Sequence, residues 1–250
     1  MIVCSTAQGF RHVTQADHAR FAADLLGLFR VPELVGHRRR EALLRAVADH
    51  DNGWWEADAA PRLAASRTSA LDFRAIPADL RQEIWQRSVE RFAAEEPYVA
   101  ALLAGHALRL SRHWEEDPSW ASFRAALSAR RDELLAAAGE VAAEVAADDG
   151  WLALADALSL AVCAGEPAFV DLPGWRLELR ASPGGTHADL ADGGTDGLAV
   201  ALEPFPFAGA TAFELSCRWL PGETFDSAAA LGVALATSPW RRLRARFVPF

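Results

Sequence analysis

The stretch Leu43–Asp58, LLRAVADHDNGWWEAD, places a histidine and an aspartate side by side at the end of an apolar helical stripe. His50 continues the helical face of Leu43 and Val47, and Asp51 continues the apolar face beside it. Both polar side chains are therefore expected on the buried side. A buried carboxylate is very costly there unless a cation or a bound metal pairs with it.

Two interpretations fit this stretch. Asn52-Gly53 supplies a helix end, so His50 and Asp51 can form a C-cap in which the histidine interacts favourably with the helix dipole. Alternatively, both side chains converge on one metal ion at their shared edge near that end. The rest of the chain must decide between them.

The bulk composition predicts a globular protein. With 250 residues and 51% hydrophobic content, the chain can form one large domain or a main domain plus a small one. No segment approaches the ~20 apolar residues of a membrane span, and the start MIVCSTAQGF lacks the features of a signal peptide. Three scattered cysteines fit a reducing compartment, so we expect a cytoplasmic location without a membrane partner.

The charge pattern limits the kinds of partner that the chain can bind. The formal net charge of -9 argues against general nucleic-acid binding. All 25 basic residues are arginine, because the sequence contains no lysine. This excludes Walker-type phosphate binding and Schiff-base chemistry, but leaves arginines that can neutralise a small anion.

Helical periodicity dominates the first two thirds of the chain. Thr14 is predicted to cap a helix that carries His18 on its apolar face, with Asp17 in the capping-box position. His106 faces inward in a later helix, and Asp156 and Ser159 are the polar side chains of an otherwise apolar one. The predicted helices after the first are Arg38–Asp51, Asp79–Ala94, Pro97–Trp114, Trp120–Val145 and Trp151–Ala164.

After Gly165 the pattern changes to short alternating segments separated by Gly and Pro, which indicate antiparallel strands. Ser182–Gly197 is predicted to be a Gly- and Asp-rich loop containing His187, and Ser227–Ala236 one last helix. The chain is thus expected to be α+β, with a helical bundle over residues 1–165 and a small antiparallel β subdomain over residues 166–250. The predicted strands are Phe169–Leu172, Trp175–Ala181, Leu198–Leu202, Ala212–Leu220 and Arg244–Phe250.

Five polar residues are expected inside the bundle: His18, His50, Asp51, His106 and Asp156. Each has a separate structural explanation, since core histidines and buried ion pairs are common. One divalent transition metal would satisfy the whole set at once. Iron, manganese, zinc, cobalt and nickel are not distinguishable from these residue types.

The order His18, His50-Asp51, Asp156 resembles the HD-domain superfamily of metal-dependent phosphohydrolases, over roughly the first two thirds of the chain. The resemblance implies an HD-like helical bundle in which these four residues bind the metal and a metal-activated water attacks a phosphoester or another small anionic substrate. Asp51 and His106 are then the expected catalytic residues. His106 would hold a phosphate oxygen or protonate a leaving group, and it is also a candidate ligand.

The chain resembles more closely a bacterial family catalogued only as a domain of unknown function (3891). The similarity lies in Gln15-Ala-Asp-His18, His50-Asp-Asn-Gly-Trp54, the helix around His106, Asp156-Ala-Leu-Ser-Leu160 and Glu203-Pro-Phe-Pro-Phe207. It extends into the strand-rich tail. It implies no assigned activity.

Two alternatives stay open. Some relatives in the HD superfamily hold two irons and oxidise their substrates with dioxygen, using extra histidines in the interval where His106 and His113 stand. The other alternative is a non-catalytic interaction protein with metal-free polar pairs. In that case the exposed-looking Phe205-Pro206-Phe207 would suit a partner surface or a homodimer.

Overall fold

Helices fill most of the chain up to Gly165. The computed structural model describes residues 1–6, 8–165, 174–181 and 198–250. The helices in these ranges are α1 (Gln15–Gly27), α2 (Pro32–Val35), α3 (Arg40–Ala48), α4 (Trp55–Ala59), α5 (Ala78–Glu90), α6 (Pro97–Ser111), α7 (Pro118–Ala138), α8 (Ala146–Ala164) and α9 (Ala228–Thr237).

Local sequence signals explain where the main helices begin and how deep they lie. The Thr14 side chain accepts a hydrogen bond from the Asp17 backbone N–H at 3.0 Å, so the predicted cap of α1 is confirmed. Helix α8 is buried on almost every side along its second half, as its continuous apolar sequence predicts. Helix α7 has few buried residues and forms an outer layer.

Within the described residues, six strands form one sheet in the order β1-β2-β5-β6-β4-β3. The strands are β1 (Ile2–Thr6), β2 (Gly9–Val13), β3 (Arg176–Ala181), β4 (Leu198–Glu203), β5 (Thr211–Leu220) and β6 (Trp240–Pro249). The N-terminal hairpin joins the C-terminal strands through the β2–β5 pair, in which Arg11 faces Trp219. The pairs are antiparallel except β4–β6, which is parallel, with Val200 opposite Phe247.

The α+β class is confirmed, but the expected order of a helical bundle followed by a separate antiparallel subdomain is not. Two of the six strands come from before the first helix, and one strand pair is parallel. Local alternation marks a strand but carries no information on which distant strand pairs with it, so this arrangement is not visible in the sequence pattern. The predicted strand Phe169–Leu172 and the predicted loop Ser182–Gly197 with His187 lie outside the described residues.

The helices and the sheet share one apolar core. The rings of Phe29 and Phe207 lie 5.1 Å apart, and those of Phe21 and Phe213 lie 5.9 Å apart, so α1 and the segment after it pack directly on the sheet. Phe207 is only 6% exposed, so the expectation of an exposed Phe205-Pro206-Phe207 surface is wrong for this ring. Among the described helices, none combines the length and apolarity that a membrane crossing requires.

Candidate metal centre

Four acceptor atoms meet in the interior of the helical layer. Nε2 of His18 lies 3.2 Å from Nε2 of His50 and 3.1 Å from Oδ1 of Asp156. Nε2 of His50 lies 3.5 Å from Oδ1 of Asp156 and 3.5 Å from Oδ2 of Asp51. Nε2 of His18 and Oδ2 of Asp51 are 3.8 Å apart. All four side chains are buried, and we refer to them as the His/Asp cluster.

Hydrogen bonds behind the cluster fix which ring nitrogen of each histidine faces inward. Nδ1 of His50 lies 2.7 Å from the carbonyl oxygen of Val47. A carbonyl only accepts, so Nδ1–H of His50 donates and the neutral ring presents its Nε2 lone pair to the cluster.

The tautomer of His18 is fixed in the same way. The Ser159 hydroxyl donates to the His18 carbonyl oxygen at 2.8 Å, so its oxygen accepts from Nδ1–H of His18 at 2.7 Å. Nε2 of the neutral His18 ring is therefore also a lone pair directed into the cluster. Two imidazole lone pairs and two carboxylate oxygens thus face one another, and only a shared cation makes this arrangement favourable.

The chain positions these groups on three packed elements. His18 lies on α1, and Asp156 and Ser159 lie on α8. Helix α3 ends at Ala48, so His50 and Asp51 lie in the turn that follows it rather than in its last helical turn.

The close approach of helix α5 holds this turn in place. A Cβ atom on Gly53 would lie 2.0 Å from the Ile84 carbonyl oxygen, so only glycine permits this contact. The Asn52 side chain donates to the Ser88 hydroxyl at 2.8 Å, and that hydroxyl donates to the His50 carbonyl oxygen at 3.2 Å. The sequence Asp51-Asn52-Gly53 is thereby tied to α5 on both sides.

The electrostatics of the metal-free cluster favour a positive charge within it. Burial opposes a charge on His50, but Asp51 and Asp156 outweigh it and raise the pKa of His50 to about 9. Burial raises the pKa of Asp51, whereas close contact with the rings of His18 and His50 holds the pKa of Asp156 well below its usual range in spite of its burial. A proton on His50 therefore supplies the cation when no metal is bound, and metal binding would release it.

His106 lies next to the cluster but has a different partner. Its Nδ1 is 4.0 Å from Oδ2 of Asp156 and accepts a hydrogen bond from Nη2 of Arg109 at 3.1 Å. The same Nη2 atom donates to Oδ2 of Asp156 at 2.9 Å. Burial lowers the pKa of His106 well below its usual value, so the ring is neutral and carries its proton on Nε2.

A cavity of about 400 Å³ opens onto the cluster. Asp51, His106 and Asp156 contribute to its lining, and so does Gln15, whose buried Oε1 has no hydrogen-bond partner among the described residues. The other walls are aromatic or carry guanidinium groups: Trp54, Phe73, Trp85 and Trp114, together with Arg74, Arg81 and Arg109. The cavity is large enough for a small organic molecule.

The donor set fits a divalent transition-metal ion. Atoms bound to one ion at ~2.1 Å lie about 3.0 Å apart in octahedral and about 3.4 Å apart in tetrahedral geometry. The His–His and His–Asp spacings of 3.1 to 3.8 Å are close to this range. Two imidazoles and two carboxylates suit several borderline ions, and the buried groups alone do not select one.

The five residues expected from the sequence do come together. Two groups of potential ligands each lie within 4.8 Å: His18, His50 and Asp51 form one, and His50, His106 and Asp156 form the other. His113 is exposed in the turn after α6 and lines the rim of the cavity, as expected for a helix-end residue.

Sequence reasoning missed the supporting roles of Ser159 and Arg109. Each stands three residues after a residue of the site, Asp156 and His106 respectively, and so shares its helical face. That spacing is the signal that could have identified both.

The fold and the site define an α+β protein with a buried His/Asp cluster suited to a divalent metal ion. The model of the family described as "Protein of unknown function (DUF3891)" matches residues 1–221, and the chain belongs to this family. No curated protein matches the chain, and no solved structure matches it.

Proposed function

We propose that this protein is a metal-dependent hydrolase of the HD type, acting on a phosphoester or another small anionic substrate. The observation that carries the proposal is the convergence of four lone-pair donors, two of them fixed in tautomer by hydrogen bonds to Val47 and Ser159. The order of the ligands, His18, His50-Asp51 and Asp156, supports the HD assignment. Their placement on three separate elements, α1, the turn after α3 and α8, supports it further.

His18, His50, Asp51 and Asp156 would hold a divalent ion, which would lower the pKa of a coordinated water and polarise a phosphoryl or carbonyl oxygen. The protein's own groups orient the substrate. His106 is neutral, and its Nε2–H has no hydrogen-bond partner among the described residues, so it is placed to donate to a substrate oxygen. Because its pKa is low, we assign it this hydrogen bond rather than the protonation of a leaving group.

The cavity supports an anionic substrate with a flat or apolar part. Arg81 donates from Nη2 to the carbonyl oxygens of Phe73, Arg74 and Ile76, which fixes its positive charge at the cavity wall. Its guanidinium carbon lies 4.8 Å from the centre of the Trp114 ring. Fixed cations attract the anion, and the aromatic faces bury the remainder of the molecule.

The di-iron oxygenase is a second candidate, favoured by the group His50, His106 and Asp156. The guanidinium of Arg109, however, donates to both His106 and Asp156, so a fixed cation occupies the position that a second ion would need. This arrangement supports one ion per chain and ranks hydrolysis above oxygenation.

The test is turnover of a panel of small phosphoesters and carboxylic esters by protein loaded in turn with Mn, Fe(II), Co, Ni and Zn. We expect metal-dependent hydrolysis that is lost, together with the bound ion, in His50→Ala. The exposed His113→Ala variant serves as a matched histidine control and should keep its metal. Two irons with oxygen uptake would support the oxygenase instead. A hydrolysis rate that changes neither on removal of the metal nor in His50→Ala would refute the proposal.

A further inference from the structure

A second cavity shares His106 and Arg109 with the aromatic cavity but is otherwise lined by different residues. It has a volume of about 260 Å³ and is enclosed by α6, α7 and the first half of α8. This is below the ~300–1,000 Å³ typical of sites for organic ligands, so the cavity suits a small ion or the terminal group of a larger molecule. We propose that it is a binding site for a phosphate-type oxyanion.

The charge of the lining carries this proposal. Arg109, Arg112, Arg124 and Arg131 line the cavity, and among the described residues Asp149 is the single carboxylate in its lining. Four guanidinium groups on one cavity stand out in a chain whose formal net charge is -9. Arginine presents several N–H donors in a planar fork that matches the oxygens of phosphate.

These arginines are incompletely satisfied by protein groups. The Arg112 side chain has no hydrogen-bond or ion-pair partner among the described residues. Arg124 has only Glu115, at 3.8 Å, and 68% of the Glu115 side chain is exposed. Nε of Arg109 and Nε of Arg131 are buried and lack a partner within the described ranges. Buried donors of this kind normally have an acceptor, and an oxyanion would supply it.

One wall of the cavity is built by a close backbone contact. Arg131 pairs with Asp149, and this pair lies against the backbone of α6 at Gly105. A Cβ atom there would lie 2.5 Å from Oδ1 of Asp149 and 3.1 Å from Nε of Arg131. The glycine therefore lets a partly buried ion pair approach α6 immediately before His106.

Arg109 connects this anion site to the His/Asp cluster. It lines both cavities and donates to Asp156 and His106. An oxyanion bound to Arg109 would compete with Asp156 for the same guanidinium group. The anion site does not require a metal, so its existence is independent of the proposed hydrolase activity.

Calorimetric titration with inorganic phosphate tests the proposal, on the full chain both with metal and after chelation. The double variant Arg112→Gln/Arg124→Gln removes two guanidinium groups without breaking the partly buried Arg131–Asp149 pair. Each hydrogen bond to a charged group contributes substantially to the binding free energy. We therefore expect the double variant to raise the Kd for phosphate roughly tenfold or more, both with metal and after chelation. The control Arg20→Gln/Arg242→Gln makes the same charge change at exposed positions away from the cavity and should bind phosphate as the wild type does.

A second titration with phenyl phosphate separates the two sources of the anion. Binding of phenyl phosphate that is tighter than that of phosphate, and equally weakened in the double variant, would assign the site to the phosphate arm of an organic ligand. Binding of inorganic phosphate alone would assign it to a free anion. The proposal is overturned if the wild type binds neither probe, or if the double variant and the control bind phosphate equally.

Discussion

Replacing Ser159 with alanine tests the interpretation that the histidine tautomers are preset for a metal. The hydroxyl accepts from Nδ1–H of His18 at 2.7 Å and donates to the His18 carbonyl oxygen at 2.8 Å. Loss of such a supporting hydrogen bond typically weakens metal binding by about 10- to 100-fold. That corresponds to about 1.4 to 2.7 kcal/mol of binding free energy.

A matched control separates metal affinity from general stability. Ser111 is equally buried on α6, and its hydroxyl donates to the Leu108 carbonyl oxygen at 2.8 Å, away from the His/Asp cluster. Both Ser→Ala variants should lose about 1 to 3 kcal/mol of unfolding free energy in chelated protein. Only Ser159→Ala should weaken metal binding, measured by competition with a fluorescent chelator. If Ser159→Ala binds the ion as tightly as Ser111→Ala does, the tautomer argument is wrong.

Three further predictions concern Gly53 in the turn after α3, His12 in the sheet, and Arg109 beside the His/Asp cluster. Gly53→Ala should lower the unfolding free energy, measured by denaturant titration, by about 1 to 3 kcal/mol or more, because its Cβ would lie 2.0 Å from the Ile84 carbonyl oxygen. The control Gly150→Ala in helix α8, where an added Cβ would have nothing within 4 Å, should be neutral or stabilising. Burial lowers the pKa of His12, on strand β2, to about 4. The contribution of the neutral ring to the unfolding free energy is therefore complete above pH 6.5 and is lost as the pH falls towards 4. Between pH 7 and pH 5 the wild type should therefore lose about 2 kcal/mol more unfolding free energy than His12→Gln, and equal losses would contradict this assignment. Arg109→Met should raise the metal content measured by mass spectrometry from one ion per chain towards two, whereas an unchanged value would mean that the guanidinium does not block a second ion.

The sequence was sufficient to predict which polar side chains lie in the buried cluster, because helical periodicity specifies which side chains face inward. His18, His106 and Asp156 each occupy an apolar face of their own helix, and that local property held in the structure. Thr14 likewise marked the start of α1 through its capping interaction alone.

Other features depend on contacts between distant segments and could not be predicted in the same way. The pairing of β2 with β5 and the parallel β4–β6 pair depend on tertiary packing. The alternation of apolar and polar residues within a strand does not specify its partner. The role of Arg109 emerges only when α6 and α8 pack together and bring its guanidinium to Asp156. The aromatic cavity combines residues from the irregular segment before α5 with residues of α6 and α8, so its shape also arises from tertiary structure.

The most direct test is a crystal structure of the protein grown with Mn or Zn, with anomalous diffraction data collected to locate the ion. We predict a single strong anomalous peak in the His/Asp cluster, at ~2.0 to 2.3 Å from each bonded atom. The expected ligand atoms are Nε2 of His18, Nε2 of His50, Oδ2 of Asp51 and Oδ1 of Asp156. An empty cluster, with the imidazoles and carboxylates paired through protons alone at saturating metal, would contradict it.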